Sequence, residues 1–353
     1  MEIIVKTPLG LEKVVASRIT ELEEGVILTV KPNGFEGLVV VEKSRDGKTL
    51  ARRIEEEIPE AEKVIVVEET VKSELDEIAE AASRLASEKI QSPESFAVRT
   101  VRRGKHSFTS VDVNIKTGAE IVKRTGSPVN LEHPNKIVQV EIIQDRAGIA
   151  VLDGHAEWRK MSREKLPSHR LFRKISVIQM PYLGSAEGAR EIGARIGRAA
   201  QAYEVRELVI SPNKPVDAFE LATFIKGVEE GIESRYNIQR KSYSRKVERI
   251  RVIVQDLYQL VRERRNEPII VFEPEGKQIR EAADKLDEIF RSSKRINFLL
   301  GSREGIPKGI YRIADIVIDL ASDITLPTEL AAPAALTAVY TVLNLRNTRV
   351  WEE

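Results

Sequence analysis

Cysteine is absent from the 353 residues, which excludes disulfide frameworks, thiolate zinc sites and cysteine nucleophiles together. A global charge excess is lacking too: 56 basic residues face 55 acidic ones. Any surface for a polyanionic partner must therefore be local. No apolar run reaches the roughly 18 residues of a membrane span. The start, Met1-Glu2-Ile3-Ile4-Val5-Lys6, alternates like a strand and has no apolar signal-peptide core. These absences lead to the expectation of a soluble cytoplasmic protein with no membrane partner. The four histidines lie at or before His169, and no His–carboxylate spacing suits a metal, so none is expected. Neither G-x-x-x-x-G-K-[ST] nor G-x-G-x-x-G occurs, which disfavours ATP hydrolysis and hydride transfer.

What is present is enough hydrophobe for real cores, 42% of residues against 31% charged, in a length that suits two or three domains. Abundant Glu, Lys, Arg and Ile without Cys fits a hot environment. The first 70 residues read strand, helix, strand, strand, helix, strand, with helical spacing at Leu11, Val14, Val15, Ile19 and Leu22. A second unit, 71–154, opens on a helix with Ser73 and Asp76 as its expected capping pair. It continues through a strand from Phe96, a helix after Val111 and strands at Ile137–Ile143 and Gly148–Val151. Residues 155–172 are polar and basic and read as a linker. From 173 to 353, apolar runs at Ile175–Ile178, Glu207–Ile210, Pro268–Phe272, Ile296–Leu300 and Ile316–Leu320 alternate with helical patterns. That alternation predicts a parallel α/β sheet.

Charge concentrates between Val98 and Arg124. Arg99, Arg102, Arg103, Lys105, Lys116, Lys123 and Arg124 face only Asp112 and Glu120, a local balance of +5. Such cations attract phosphates, while hydroxyls such as Thr109 and Ser110 fix register. The run from Phe96 to Ser110, together with Val129-Asn130-Leu131-Glu132-His133-Pro134-Asn135-Lys136 and the following Val138 to Ile142, resembles the THUMP domain of tRNA-modifying enzymes. The resemblance implies that residues 1–70 are the ferredoxin-like domain that commonly accompanies THUMP. It also implies that the pair grips the acceptor end of tRNA, with Arg99, Arg102, Arg103, Lys105, His106, Lys123 and Arg124 as RNA contacts. Two further basic stretches, 159–174 and 240–251 with Tyr243 interleaved, suit an RNA backbone.

Three loops follow apolar strands at the positions where open α/β sheets bind ligands. They are Glu273-Pro274-Glu275-Gly276-Lys277, Gly301-Ser302-Arg303-Glu304-Gly305-Ile306-Pro307 and Ala321-Ser322-Asp323-Ile324-Thr325-Leu326-Pro327. Together they resemble the SPOUT methyltransferases. The resemblance implies a deep trefoil knot, a homodimer and S-adenosylmethionine held by Gly276, Leu300, Gly301, Gly305, Ile306, Leu320, Ile324, Thr325 and Leu326. The apolar stretch Leu330 to Leu345 predicts a helix buried in a core or at a subunit contact. Gly193 to Val205 resembles the helix that carries an arginine in SPOUT ribose methylases, which puts Arg198 at the matching place. The usual upstream Asn is missing, with Ile192 and Gly193 there instead. Asp323 is the second catalytic candidate, and Arg195 and Arg303 are rivals.

The expectation is thus an α+β pair of RNA-binding domains (ferredoxin-like plus THUMP) joined to an α/β SPOUT domain, as in archaeal THUMP–SPOUT fusions. The implied activity is S-adenosylmethionine-dependent methylation of tRNA, at a ribose 2′-hydroxyl. Base-nitrogen methylation on the same scaffold, or RNA binding without catalysis, are the alternatives.

Overall fold

The computed structural model describes residues 1–157, 160, 161, 165 and 167–346. The chain divides into two compact units, residues 1–163 and 164–353. The first contains two four-stranded sheets. Strands β1 (Ile3–Lys6), β2 (Ile27–Val30), β3 (Leu38–Lys43) and β4 (Lys63–Val66) alternate with helices α1 (Glu12–Leu22) and α2 (Gly47–Glu57) in the order β-α-β-β-α-β. Their sheet runs β2-β3-β1-β4, antiparallel throughout. Helix α2 starts where Asp46 accepts the amide protons of Lys48 and Thr49, satisfying donors that the first turn leaves without partners.

The second sheet combines β5 (Glu69–Lys72), β6 (Phe96–Arg103), β7 (Lys136–Ile143) and β8 (Arg146–Asp153) in the order β5-β8-β7-β6, with helices α3 (Leu75–Lys89) and α4 (Ser110–Thr125). The expected Ser73–Asp76 cap is not made: α3 starts after Glu74, with no side-chain cap. A capping box forms on α4 instead. Thr109 Oγ1 accepts from Asp112 N at 3.2 Å, and Asp112 Oδ2 accepts from Thr109 N at 2.7 Å. An apolar cluster of Ile4, Leu38, Val40, Ile65, Ile143 and Ala150 joins the two sheets. Beside it, Lys6 donates to the fully buried Glu141 at 2.5 Å, and Arg146 grips Glu42 with two hydrogen bonds.

Glu12 ties α1 to the same sheet. Its Oε1 accepts from Gly37 N at 2.6 Å, and Lys31 Nζ lies 3.6 Å from Oε2. The Gly37 amide, assisted by the lysine charge, draws the carboxyl from its ordinary 4.5 down to about 2. Because the folded value is depressed, the stabilisation is complete above pH 4.5 and disappears as pH falls towards 2. The stability difference between wild type and Glu12→Gln, read from urea midpoints, should therefore shrink across that window. A difference constant from pH 7 to pH 2 would contradict it.

The second unit is built on six parallel strands: β9 (Ile175–Gln179), β10 (Glu207–Ile210), β11 (Arg251–Val254), β12 (Ile269–Gln278), β13 (Ile296–Leu300) and β14 (Ile316–Asp319). Helix α5 (His169–Phe172) precedes them, α6 (Ala186–Tyr203), α7 (Ala218–Ser242), α8 (Leu257–Glu263), α9 (Ala283–Ser292) and α10 (Lys308–Tyr311) run between them, and α11 (Thr328–Leu345) closes the unit. The expected linker ends early, because α5 buries Leu171 and Phe172 in this core. Arg159, Arg163 and Glu164, from the same stretch, lie outside the described residues.

The sheet order is β11-β10-β9-β13-β12-β14. The chain winds outward from β9, returns past it to β12, and then fills the gap with β13. Helices α6 and α7 pack so closely that Gly193, Gly197, Gly227 and Gly231 lie against backbone of the facing helix. Helix α11 buries Ala332, Ala335, Leu336, Val339 and Leu343 but leaves Leu330 and Leu345 exposed, so it is one-sided, not apolar-buried all round. Among the described residues no helix is long and apolar enough to cross a membrane.

Candidate active site

The carboxyl ends of β12, β13 and β14 enclose an open cleft, at the position where open α/β sheets take ligands. Strand β12 makes its outer wall by leaving register with β14 between Phe272 and Lys277, a bulge that re-aims side chains. Gly301 and Ser302 form the floor, and Asp319, Leu320, Ala321, Ile324, Thr325, Leu326 and Thr328 the opposite wall.

Of the nine residues assigned to the methyl donor from sequence, Gly301, Leu320, Ile324, Thr325 and Leu326 line this cleft. The other four do not. Leu300 is buried in β13, and Ile306 points its side chain into the core while its N–H donates to Glu273 Oε1 at 2.6 Å. Gly305 turns the loop with φ +68°, and Gly276 lies against the backbone of Val317 and Ile318 in β14.

Three residues not assigned to the donor from sequence also line the cleft, two of them, Glu273 and Ser302, within the loops marked there. Glu273 extends from the bulge over the glycine loop, and a Cβ on Gly301 would lie 2.5 Å from its Oε1. Burial pushes the Glu273 carboxyl above its ordinary range, against the lowering effect of the Ile306 amide. Asp319, 8% exposed at the end of β14, accepts from Ala321 N and Ser322 Oγ and so shapes the third loop. Ser302 lies on the cleft floor and also borders a neighbouring recess. Only the positions of these three at strand ends marked them in the sequence.

Just outside, Lys308 is ion-paired with Glu275, which lowers the Glu275 carboxyl, and Tyr311 Oη donates to Glu275 at 3.2 Å. Burial raises the Tyr311 hydroxyl to about 12. Beneath the cleft, the fully buried Gln179 donates from Nε2 to the carbonyl of Gly301 at 2.9 Å, fixing the glycine loop to β9.

The catalytic candidates are not on the cleft wall. Arg198 is held on α6 by Ser234 of α7, its Nη1 donating at 2.9 Å. Asp323 sits exposed on the lip with φ +70°, between lining residues. Arg195, the rival, pairs at 3.2 Å with Glu329, one residue after the cleft-lining Thr328.

In the first unit the basic cluster lies on β6, the following loop and α4, but several of its cations are committed locally. Arg103 pairs with the buried Glu141 at 2.9 Å and Arg124 with Glu80 at 2.5 Å. Arg103 shares the buried Glu141 with Lys6, so it serves the fold whatever else it does. Arg99 donates to the carbonyl of Leu131. Arg102 reaches the carbonyl of Gly104 and His106 Nδ1, while His106 Nε2 lies 2.6 Å from the carbonyl of Gln144. Since Arg102 can only donate, His106 is the Nε2–H tautomer. Lys105 and Lys123 extend into solvent, Lys123 with 78% of its side chain exposed.

An all-parallel α/β unit with a cleft over its strand ends, preceded by an α+β unit with a basic strand and helix, defines a two-part protein of α+β and α/β units. Residues 72–152 match the THUMP domain, and residues 169–353 match the model described as AF2226-like SPOUT RNA methylase fused to THUMP. The chain belongs to this family of SPOUT RNA methylases fused to THUMP. An uncharacterized protein of Methanocaldococcus jannaschii is 40% identical over 346 residues, 97% of this chain and 94% of its own. A tRNA (guanine(6)-N2)-methyltransferase of the same organism is 35% identical over 68 residues, 18% of each chain. The SpoU methyltransferase AviRb of Streptomyces viridochromogenes, solved with AdoMet, is 13% identical with a TM-score of 0.30, over 79% of this chain and 90% of that one.

Proposed function

We propose that the protein is a tRNA methyltransferase that uses S-adenosylmethionine and modifies a ribose 2′-hydroxyl near the acceptor stem. The observation that carries this reading is the cleft at the ends of β12, β13 and β14, in a chain whose family is that of SPOUT RNA methylases. The residues present fit the donor. Phe272, Leu320, Ile324 and Leu326 offer an apolar bed for a purine, while the carboxylates of Glu273 and Asp319 complement a ligand bearing an ammonium and a sulfonium. When bound, that group supplies an electrophilic methyl. The chain's own part is to hold the loops rigid, align the hydroxyl and take up its proton.

In this reading residues 1–70 are a ferredoxin-like domain and 71–154 the THUMP domain, together gripping the acceptor end. Residues 173–353 carry the knot, and a homodimer forms through the α/β unit, where Leu330 and Leu345 lie exposed on α11. The enzyme works in the cytoplasm. Arg198 and Asp323 are the proton-handling candidates, and Arg198→Ala or Asp323→Asn should lower kcat while leaving donor affinity unchanged. Wild-type rates would remove either residue from the mechanism. Binding to tRNA should fall by about 10³ or more between 50 and 200 mM salt if six or more phosphates are gripped. A flat response would contradict the phosphate grip.

The test of the activity is tritiated methyl transfer onto bulk tRNA, followed by mass spectrometry of its nucleosides. A 2′-O-methylated nucleoside resistant to alkaline cleavage is the expected product. A base-methylated nucleoside would overturn the ribose assignment, and no transfer at all would overturn the enzyme.

A further inference from the structure

Beside the donor cleft lies a second recess, over the ends of β9 and β10. It occupies the point where the strand order reverses, between β9 and β13, the position at which open parallel sheets take ligands. Its wall includes Met180, Pro181, Asn213, Lys214, Ser302 and Arg303. Ser302 borders both cavities, so the two adjoin there. A methyl donor and its acceptor must meet in line at contact distance, and this shared wall is the place where two bound molecules could do so.

The groups around the recess suit a nucleotide. The Arg303 guanidinium stacks on the Tyr182 ring, 4.9 Å from its centroid. Lys214 is paired with Glu304 at 2.6 Å, both more than half exposed, an arrangement that exchanges readily for a phosphate. Phe219, in the first turn of α7 and three residues beyond the lining Val216, presents a 71% exposed ring. Two cations, an exposed aromatic ring and the Asn213 amide are the equipment with which proteins hold a splayed ribonucleotide.

We infer that this recess receives the target nucleotide of an RNA strand, with Lys214 and Arg303 on its phosphates and Phe219 as a stacking surface. The inference rests on the methyltransferase reading above and assigns the acceptor half of that site.

The test uses the full chain, S-adenosylmethionine and a pool of unmodified tRNA transcripts carrying 4-thiouridine. The double variant Lys214→Ala/Arg303→Ala is compared with a charge-matched control, Lys285→Ala/Arg291→Ala on α9. Donor affinity by calorimetry should be unchanged in both. The tRNA concentration giving half-maximal methylation should rise about tenfold or more in the first variant only, as expected for lost charge-assisted contacts. Ultraviolet crosslinks in the second unit should map to residues 180–184, 212–219 or 301–304. Equal behaviour of the two variants, or crosslinks confined to other segments, would overturn the assignment. If the wild type binds no donor, the methyltransferase reading fails, and the crosslink map alone decides whether RNA enters the recess.

Discussion

Gly301→Val should reduce methyl transfer by about 100-fold or more, the penalty for displacing a reacting group by about an ångström. Gly301 lies on the cleft floor, and a Cβ there would stand 2.5 Å from Glu273 Oε1 and 2.9 Å from the Gly305 Cα. Glu273 can swing away only by giving up its hydrogen bond from Ile306 N, and the Gly305 backbone, held at φ +68°, has no side chain to move aside. The branched side chain must then push the loop into the space assigned to the donor. Donor affinity should fall together with turnover, and Gly301→Ala should be partly rescued by Glu273→Ala, which removes the movable half of the clash. Donor affinity equal to wild type in Gly301→Val would show that the glycine loop is not part of the donor site.

Gly276→Ala should act on stability. A Cβ at this position would lie 2.5 Å from Ile318 N and 2.6 Å from the carbonyl carbons of Val317 and Ile318, all backbone atoms of a paired strand. Nothing there can yield as a side-chain tip would, so the strands must part. Overpacking of this kind costs about 1–3 kcal/mol, which for a unit of this size lowers Tm by several degrees. A calorimetric scan of the purified variant measures this. An unchanged Tm with weakened donor binding would restore the sequence-based view, in which Gly276 is small to admit a ligand.

That contrast shows what sequence could and could not provide. Five of the six strands of the α/β unit stand out as apolar runs. Strand β11 does not, because Arg251–Val254 sits at the sheet edge, half exposed, directly after a dense basic stretch. Helix α7 shows an apolar stripe at Phe224, Val228 and Ile232, but its close approach to α6 is set by Gly227 and Gly231, which give no hydrophobic signal. The basic cluster from Arg99 to Arg124 was countable, yet the acids that engage it, Glu141 and Glu80, come from other elements. Charge arithmetic along the chain therefore overstated the free cations. Within the cleft, the loops were readable from glycines after apolar strands, but Glu273 and Asp319 were not. Their positions follow from the bulge in β12 and the placement of β14 outside it, properties of the topology.

Titration calorimetry of the intact protein with S-adenosylmethionine addresses the whole account directly. Saturable binding at one site per chain, abolished by Gly301→Val and preserved in Lys214→Ala/Arg303→Ala, is the expected result. Absence of saturable heat from the wild-type protein would contradict the claim that strands β12 to β14 cup a methyl donor.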